Sequence, residues 1–205
     1  MDIRAIEWLL FDLGGVVLKV DQSRIFEELA SMTGFAIEIV KARLDLTNRF
    51  WEEFTVREYT ASELALQINR LLETTLSVAE VQEAFNAELG APIQTTCELI
   101  PVLKQRVSVG CLSNTNSIHW DKLLSAYAAM QHFDRRFASQ MLGHAKPSPE
   151  IYHATSKNLG VAAQHILFFD DRVENVSAAQ ALGWNARLYR DNSTLLSDLT
   201  EFGLL

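Results

Sequence analysis

Short unbroken apolar runs alternate along this chain with longer stretches in which apolar residues recur every three or four positions. Four runs stand apart: Trp8 to Leu13, Val107 to Leu112, Ile166 to Phe169 and, more weakly, Ala186 to Tyr189. Runs this short, set between helical stretches, predict strands buried on both faces. Their alternation with helices predicts an α/β chain whose parallel sheet is flanked by helices on both sides. Open sheets of that kind bind ligands beyond the carboxyl ends of their strands.

The helical stretches carry readable starts. Thr60 with Glu63, Ser77 with Glu80 and Thr95 with Glu98 each place a hydroxyl three residues before a glutamate, the reciprocal pattern that satisfies unpaired N–H groups in a first turn. Ser148-Pro149 puts a cap residue before a proline at the first helical position, where no amide hydrogen is needed. Between the first strand and Val107 everything reads as helix, much longer than a crossover requires. This predicts an all-helical module inserted over residues 20–92, lying over the site as a lid, with 1–19 and 93–205 forming the core.

Composition narrows the class. A chain of 205 residues with 48% hydrophobic and 21% charged residues has the make-up of an ordinary globular protein. Its formal charge of −8 argues against a broad nucleic-acid surface, which needs clustered Lys and Arg. No apolar run approaches bilayer length, and no basic start leads into an apolar core and cleavage site, so a cytoplasmic protein with free thiols is expected. Cys97 and Cys111 lack CxxC spacing, and Cys111, inside an apolar run, reads as a buried structural thiol. The five histidines form no zinc-like cluster, and GxSxG, GxGxxG and GxxxxGK[ST] are absent.

The chemistry gathers at the carboxyl ends of the proposed strands. The first ends in Asp12, the second in Ser113-Asn114-Thr115-Asn116 and the third in Asp170-Asp171, while Lys146 stands in a loop before a marked helix start. A lone carboxylate ending a buried run costs free energy unless it is solvated, paired or metal-bound. Carboxylates brought together raise one another's pKa unless a cation neutralises them, and hard oxygen ligands favour Mg²⁺. Lys146 with Ser113 and Asn114 beside that metal makes a pocket for a phosphoryl group, leaving Asp12 free to act as a nucleophile. Gly14 and Gly15 permit a tight turn and a close approach of backbone groups; alone they would mark a plain turn, but with the other three segments they mark a site.

Phe11-Asp12-Leu13-Gly14-Gly15-Val16, Leu112-Ser113-Asn114, Lys146-Pro147 and Phe169-Asp170-Asp171 resemble, in order, the four motifs of the haloacid dehalogenase superfamily of phosphatases. The likeness spans the whole core, and the insertion point matches that family's helical cap on a Rossmann-like core. Thr115-Asn116, Ile151-Tyr152, Phe168 and Asn175 add a likeness to the bacterial α-D-glucose-1-phosphate phosphatase branch and, less closely, to the phosphatase domain of soluble epoxide hydrolases. The resemblance implies that Asp12 attacks phosphorus, forming an aspartyl-phosphate. Ser113 would hold a phosphoryl oxygen with Asn114 beside it, and Lys146 would steady the nucleophile and the phosphoryl charge. Asp12, the Gly14 carbonyl and Asp171 would bind Mg²⁺, with Asp170 close by and Asn175 supporting them. The implied partner is a small phosphorylated metabolite such as a sugar 1-phosphate, with no nucleic acid and no membrane; the oligomeric state stays open.

One position departs from the family. Most phosphatases resembling this chain carry a second Asp two residues after the nucleophile, as proton donor to the leaving oxygen, where this chain has Gly14. A positioned general acid contributes roughly 10²–10⁴-fold, so the absence bears on rate or substrate choice. Three readings follow: a phosphatase with good leaving groups or a proton from water or substrate; a 2-haloacid dehalogenase, disfavoured because Asp170-Asp171 suits a cation such enzymes do not use; or a phospholigand-binding or regulatory protein without turnover. In the cap, Arg43, Arg49, Trp51 and Arg57 are substrate-contact candidates, although Trp51 packing with Phe50 and Phe54, and solvated arginines, is the plainer expectation. Asp21 reads as a hinge or cap residue and is not assigned the missing acid role.

Overall fold

A computed structural model describes residues 6–45 and 53–205. Strands β1 (Trp8–Phe11), β4 (Ser108–Ser113), β5 (Arg135–Ala138), β6 (Ile166–Asp170) and β7 (Asn185–Leu188) form one parallel sheet in the order β5-β4-β1-β6-β7. Neighbours that are distant in sequence require crossovers, and helices supply them on both faces. Because side chains alternate along a strand, Leu9, Phe11, Val109, Cys111, Leu167 and Phe169 face one layer. There they meet Ile100 and Leu103 of α5 (Gln94–Leu103), Leu123 of α6 (Ser117–Ala126) and Leu195 and Leu199 of α10 (Asn192–Glu201). Leu10, Leu112, Ile166 and Phe168 face the other layer, against Ile151 and Tyr152 of α8 (Pro149–Leu159) and Val176 and Ala179 of α9 (Val173–Ala181). A single turn, α7 (Ser139–Leu142), follows β5.

The segment expected to be wholly helical contains two strands. β2 (Leu18–Val20) and β3 (Leu89–Pro92) pair antiparallel as a separate ribbon, with Leu18 opposite Pro92 and Val20 opposite Leu89. β2 is three residues of which only Leu18 is buried, and β3 contains Gly90 and Pro92 and buries no residue fully, so neither carries a buried-strand signal. Between them run α1 (Ser23–Thr33), α2 (Ile37–Asp45), α3 (Ala61–Leu72) and α4 (Val78–Asn86). These helices bury an apolar cluster of their own, including Leu29, Leu44, Ile68 and Phe85, which Ile118 of α6 joins from the core side. β5 also escaped the hydrophobic pattern, since it is an edge strand whose first two residues are exposed arginines.

Thr60 and Ser77 make both halves of their capping boxes. Thr95 does not: α5 begins at Gln94 after Ile93, and the Thr95 hydroxyl instead accepts a 2.9 Å bond from the Asn192 amide. Proline does open α8, but the Ser148 hydroxyl bonds the Glu150 carboxylate rather than a backbone amide. Cys111 is fully buried, which pushes its thiol up to about 12, and neither cysteine is in a disulfide. No helix among the described residues is long and apolar enough to cross a membrane.

Candidate active site

Asp12 follows β1 directly, its amide extending the ladder to the Phe169 carbonyl at 2.8 Å, so its carboxyl emerges at the sheet's carboxyl edge. The Leu13 amide donates to Asp12 Oδ1 at 2.7 Å and fixes the side chain. The chain then turns back tightly, with the Gly15 amide on the Leu18 carbonyl at 2.8 Å. Gly15 holds φ at +74°, and a Cβ there would stand 2.1 Å from Asp171 Oδ2. Both the backbone conformation and the close approach of Asp171 therefore require glycine.

Lys146 is buried at the centre. Its Nζ donates to Asp12 Oδ1 at 3.0 Å, Asp170 Oδ2 at 2.6 Å and the Leu112 carbonyl at 2.9 Å, so all three hydrogens have partners. Burial opposes this ammonium, but the two carboxylates outweigh it and hold its pKa above the ordinary lysine value. Asp170 is fully buried and accepts from the Asn175 amide at 2.9 and 3.1 Å and from the Arg172 amide at 2.9 Å. Tyr152 donates to the Asn175 carbonyl at 2.9 Å, which ties α9 to α8 beneath the site.

One ammonium faces three carboxylates. Oxygens of Asp12, Asp170 and Asp171 lie within 4.8 Å of one another. Burial above all pushes Asp12 up to about 6 despite Lys146, and burial with the neighbouring Asp170 raises Asp171. The excess negative charge and all-oxygen donor set fit a hard divalent cation. Gly15→Ala is expected to move Asp171 and weaken Mg²⁺ affinity by about 10–100-fold, as read by isothermal titration calorimetry; unchanged affinity would separate Asp171 from the cation.

Ser113, at the end of β4, lies with Asp12, Gly14, Lys146 and Asp171 on the wall of one cavity of ≈590 Å³. Asn114 lines it too, but its amide oxygen accepts from the Lys146 amide and its nitrogen donates to the Lys146 carbonyl, both at 2.8 Å. Asn114 therefore fixes the lysine loop as well as facing the cavity. Ser139 does the same for the Ser113 loop, its hydroxyl accepting from the Thr115 amide and donating to the Thr115 carbonyl, both at 3.0 Å. Asn116 caps α6 through the His119 amide at 2.9 Å. Ser139, Glu88, His119 and the positioning duty of Asn114 carried no motif signal; Glu88, His119 and Asp21 also line the cavity.

The cap arginines within the described residues serve the helices. Arg43 donates to the Leu72 carbonyl and lies over the Phe35 ring, and Arg57 lies over the Tyr59 ring beside Glu53. Phe54 packs against Tyr59 and Phe85, the plainer reading for that aromatic. Arg49, Phe50 and Trp51 lie outside the described residues.

A family model described as haloacid dehalogenase-like hydrolase matches residues 6–183. Phosphatase MT3486 of Mycobacterium tuberculosis is 29% identical, the alignment covering 98% of this chain and 97% of that protein. The D-ribitol-5-phosphate phosphatase of Bacteroides thetaiotaomicron is 25% identical over 86% of this chain and 88% of its own. Among solved structures, a Bacteroides thetaiotaomicron HAD family enzyme in complex with magnesium and inorganic phosphate superimposes with a TM-score of 0.82. It is 28% identical, covering 93% of this chain and 99% of that one.

Proposed function

The chain belongs to the haloacid dehalogenase-like hydrolases, and from that premise we propose that it removes the phosphoryl group from a small phosphorylated metabolite of the sugar 1-phosphate kind, through an aspartyl-phosphate on Asp12. It is a Mg²⁺-dependent phosphatase, a phosphoric monoester hydrolase. The observation that carries this reading is the surplus of carboxylate around Lys146: Asp12, Asp170 and Asp171 converge on one ammonium at the wall of a cavity large enough for a small metabolite. That arrangement suits a cation and a phosphoryl dianion together, whereas halide displacement has no use for the cation.

In this reading an oxygen of Asp12 bonds to phosphorus as the bond to the leaving oxygen breaks, and the leaving group departs with the electron pair. Water then attacks the phosphorus of the aspartyl-phosphate, releasing inorganic phosphate and restoring the carboxylate. Lys146 holds Asp12 in line and offsets charge that builds on the phosphoryl oxygens, and the Ser113 hydroxyl donates to one of them. Asp12, the Gly14 carbonyl and Asp171 are the groups that would hold Mg²⁺, which when bound would supply further positive charge against the phosphoryl group. Asp170 and Asn175 set the position of Lys146 rather than touch substrate. Residues 20–92 act as a cap that selects the part of the substrate remote from phosphorus; the separate apolar cluster of α1–α4 and the ribbon at their base support that division.

The test is phosphate release from a panel of sugar 1-phosphates, acyl phosphates and alkyl phosphates, with and without Mg²⁺. Metal-dependent multiple turnover is the expected result. Phosphate binding without turnover across the panel would favour a regulatory role, and halide release from a 2-haloacid in chelator would favour a dehalogenase.

A further inference from the structure

Gly14 leaves the turn after Asp12 without a proton donor, and the structure shows what occupies that space. A Cβ on Gly14 would meet Val20 Cγ2 at 3.0 Å, so a rigid β-branched side chain stands where a second aspartate would begin. Val20 ends β2 and pairs with Leu89 of β3, and the next amide, that of Asp21, donates to the Glu88 carbonyl at 3.0 Å. The ribbon that fills position 14 thus carries Glu88 to the same cavity as Asp12.

Among the described residues, no charged cation is paired with Glu88. Its side chain is only 13% exposed, and His119 Nε2 lies 4.0 Å from its carboxylate. That ring is neutral: Nε2 is 2.9 Å from the Phe85 carbonyl, which can only accept, so Nε2 bears the hydrogen and Nδ1 accepts from the Asn116 amide at 3.1 Å. Burial also lowers the imidazole pKa. From the ribbon, Asp21 faces Glu88 as an anion, because the hydroxyl and amide of Ser23 both donate to it and Arg24 acts on it in the same direction. Burial first, then the charge of Asp21, push Glu88 up to about 7. A carboxyl that keeps its proton near neutral pH and can also release it meets the requirement for a general acid.

We propose that Glu88 is the acid–base residue of this enzyme, in place of the side chain that Gly14 lacks. As the P–O bond breaks, the Glu88 proton passes to the leaving oxygen, giving a neutral alcohol and a Glu88 carboxylate. That carboxylate takes a proton from the water that attacks the aspartyl-phosphate, and Glu88 ends as it began. This rests on the phosphatase reading of the site. It removes the restriction to good leaving groups that Gly14 alone imposes.

Wild type, Glu88→Gln and Glu88→Asp are compared on glycerol 3-phosphate, whose leaving oxygen needs a proton, and 4-nitrophenyl phosphate, whose leaving group does not. Glu88→Gln is expected to lower kcat/KM for glycerol 3-phosphate by about 10²-fold or more and for the aryl ester by less than about tenfold. The wild type is expected to lose kcat/KM for glycerol 3-phosphate as pH rises above about 7, and Glu88→Gln to abolish that fall. With the second step slowed, the variant should release a burst of nitrophenolate close to the enzyme concentration, and Glu88→Asp should recover part of the lost rate. Equal losses on both substrates, no loss, or a wild type that hydrolyses only the aryl ester would overturn the assignment. A wild type with no turnover dependent on Asp12 would remove the phosphatase reading first, and the assignment with it.

Discussion

Asp12→Asn is expected to abolish turnover, lowering kcat by about 10⁴–10⁶-fold, because a nucleophile acts with its partners as one unit and no neighbour can replace it. The variant is a demanding control because it should not unfold the protein. An amide oxygen at position 12 can still accept from Lys146 and from the Leu13 amide, while one of three crowded carboxylates loses its charge. Thermal melting in chelator should therefore give a Tm no lower than that of the wild type. Residual turnover within a hundredfold of wild type would mean that another group attacks phosphorus. A large drop in Tm would mean that the Asp12–Lys146 contact is chiefly structural.

Lys146→Met should be costly in both respects. The substitution keeps the side-chain length over the Phe168 ring but removes the charge shared by Asp12 and Asp170. Leaving a buried carboxylate without its partner costs about 3–5 kcal/mol, which for a chain of this size is a fall in Tm of roughly 10 °C. Loss of the positive charge aimed at the phosphoryl oxygens should lower kcat by about 10²–10³-fold. Added Mg²⁺ should restore part of the Tm, since the cation neutralises the same carboxylates, but not the rate. Full recovery of kcat in Mg²⁺ would show that Lys146 serves the fold alone.

What the sequence made legible follows from burial. β1, β4 and β6 showed as apolar runs because central parallel strands are covered on both faces, while β7, at the edge beside β6 and only half-buried, showed more weakly. β5, opened by the exposed Arg135 and Arg136, and the short, mostly uncovered ribbon of β2 and β3 have no such pattern. Asp12, Ser113, Lys146, Asp170 and Asp171 could be gathered because four segments each end at the same edge of one sheet. Thr95 misled for a local reason: the hydroxyl-to-glutamate spacing was present, but a contact from Asn192, far along the chain, took the hydroxyl. Glu88 was invisible because Glu80, Glu83 and Glu88 look alike in sequence, and only the folded ribbon buries the last of them. Asn114 was noticed for its place beside Ser113, while its clamp on the Lys146 backbone depends on a loop more than thirty residues away.

The strand that carries Asp12 also sets an order of assembly. Phe11 pairs with Cys111 on one side and Phe169 on the other, so β1 is made early and completed late. At about 5–20 residues per second of synthesis, its second neighbour leaves the ribosome on the order of ten seconds after it. The α1–α4 module, whose apolar contacts lie mostly within its own stretch of chain, can collapse during that interval. The nascent protein would then hold a formed helical module and a β1 paired to β4 along one edge only, its other edge open to non-native pairing until β6 arrives.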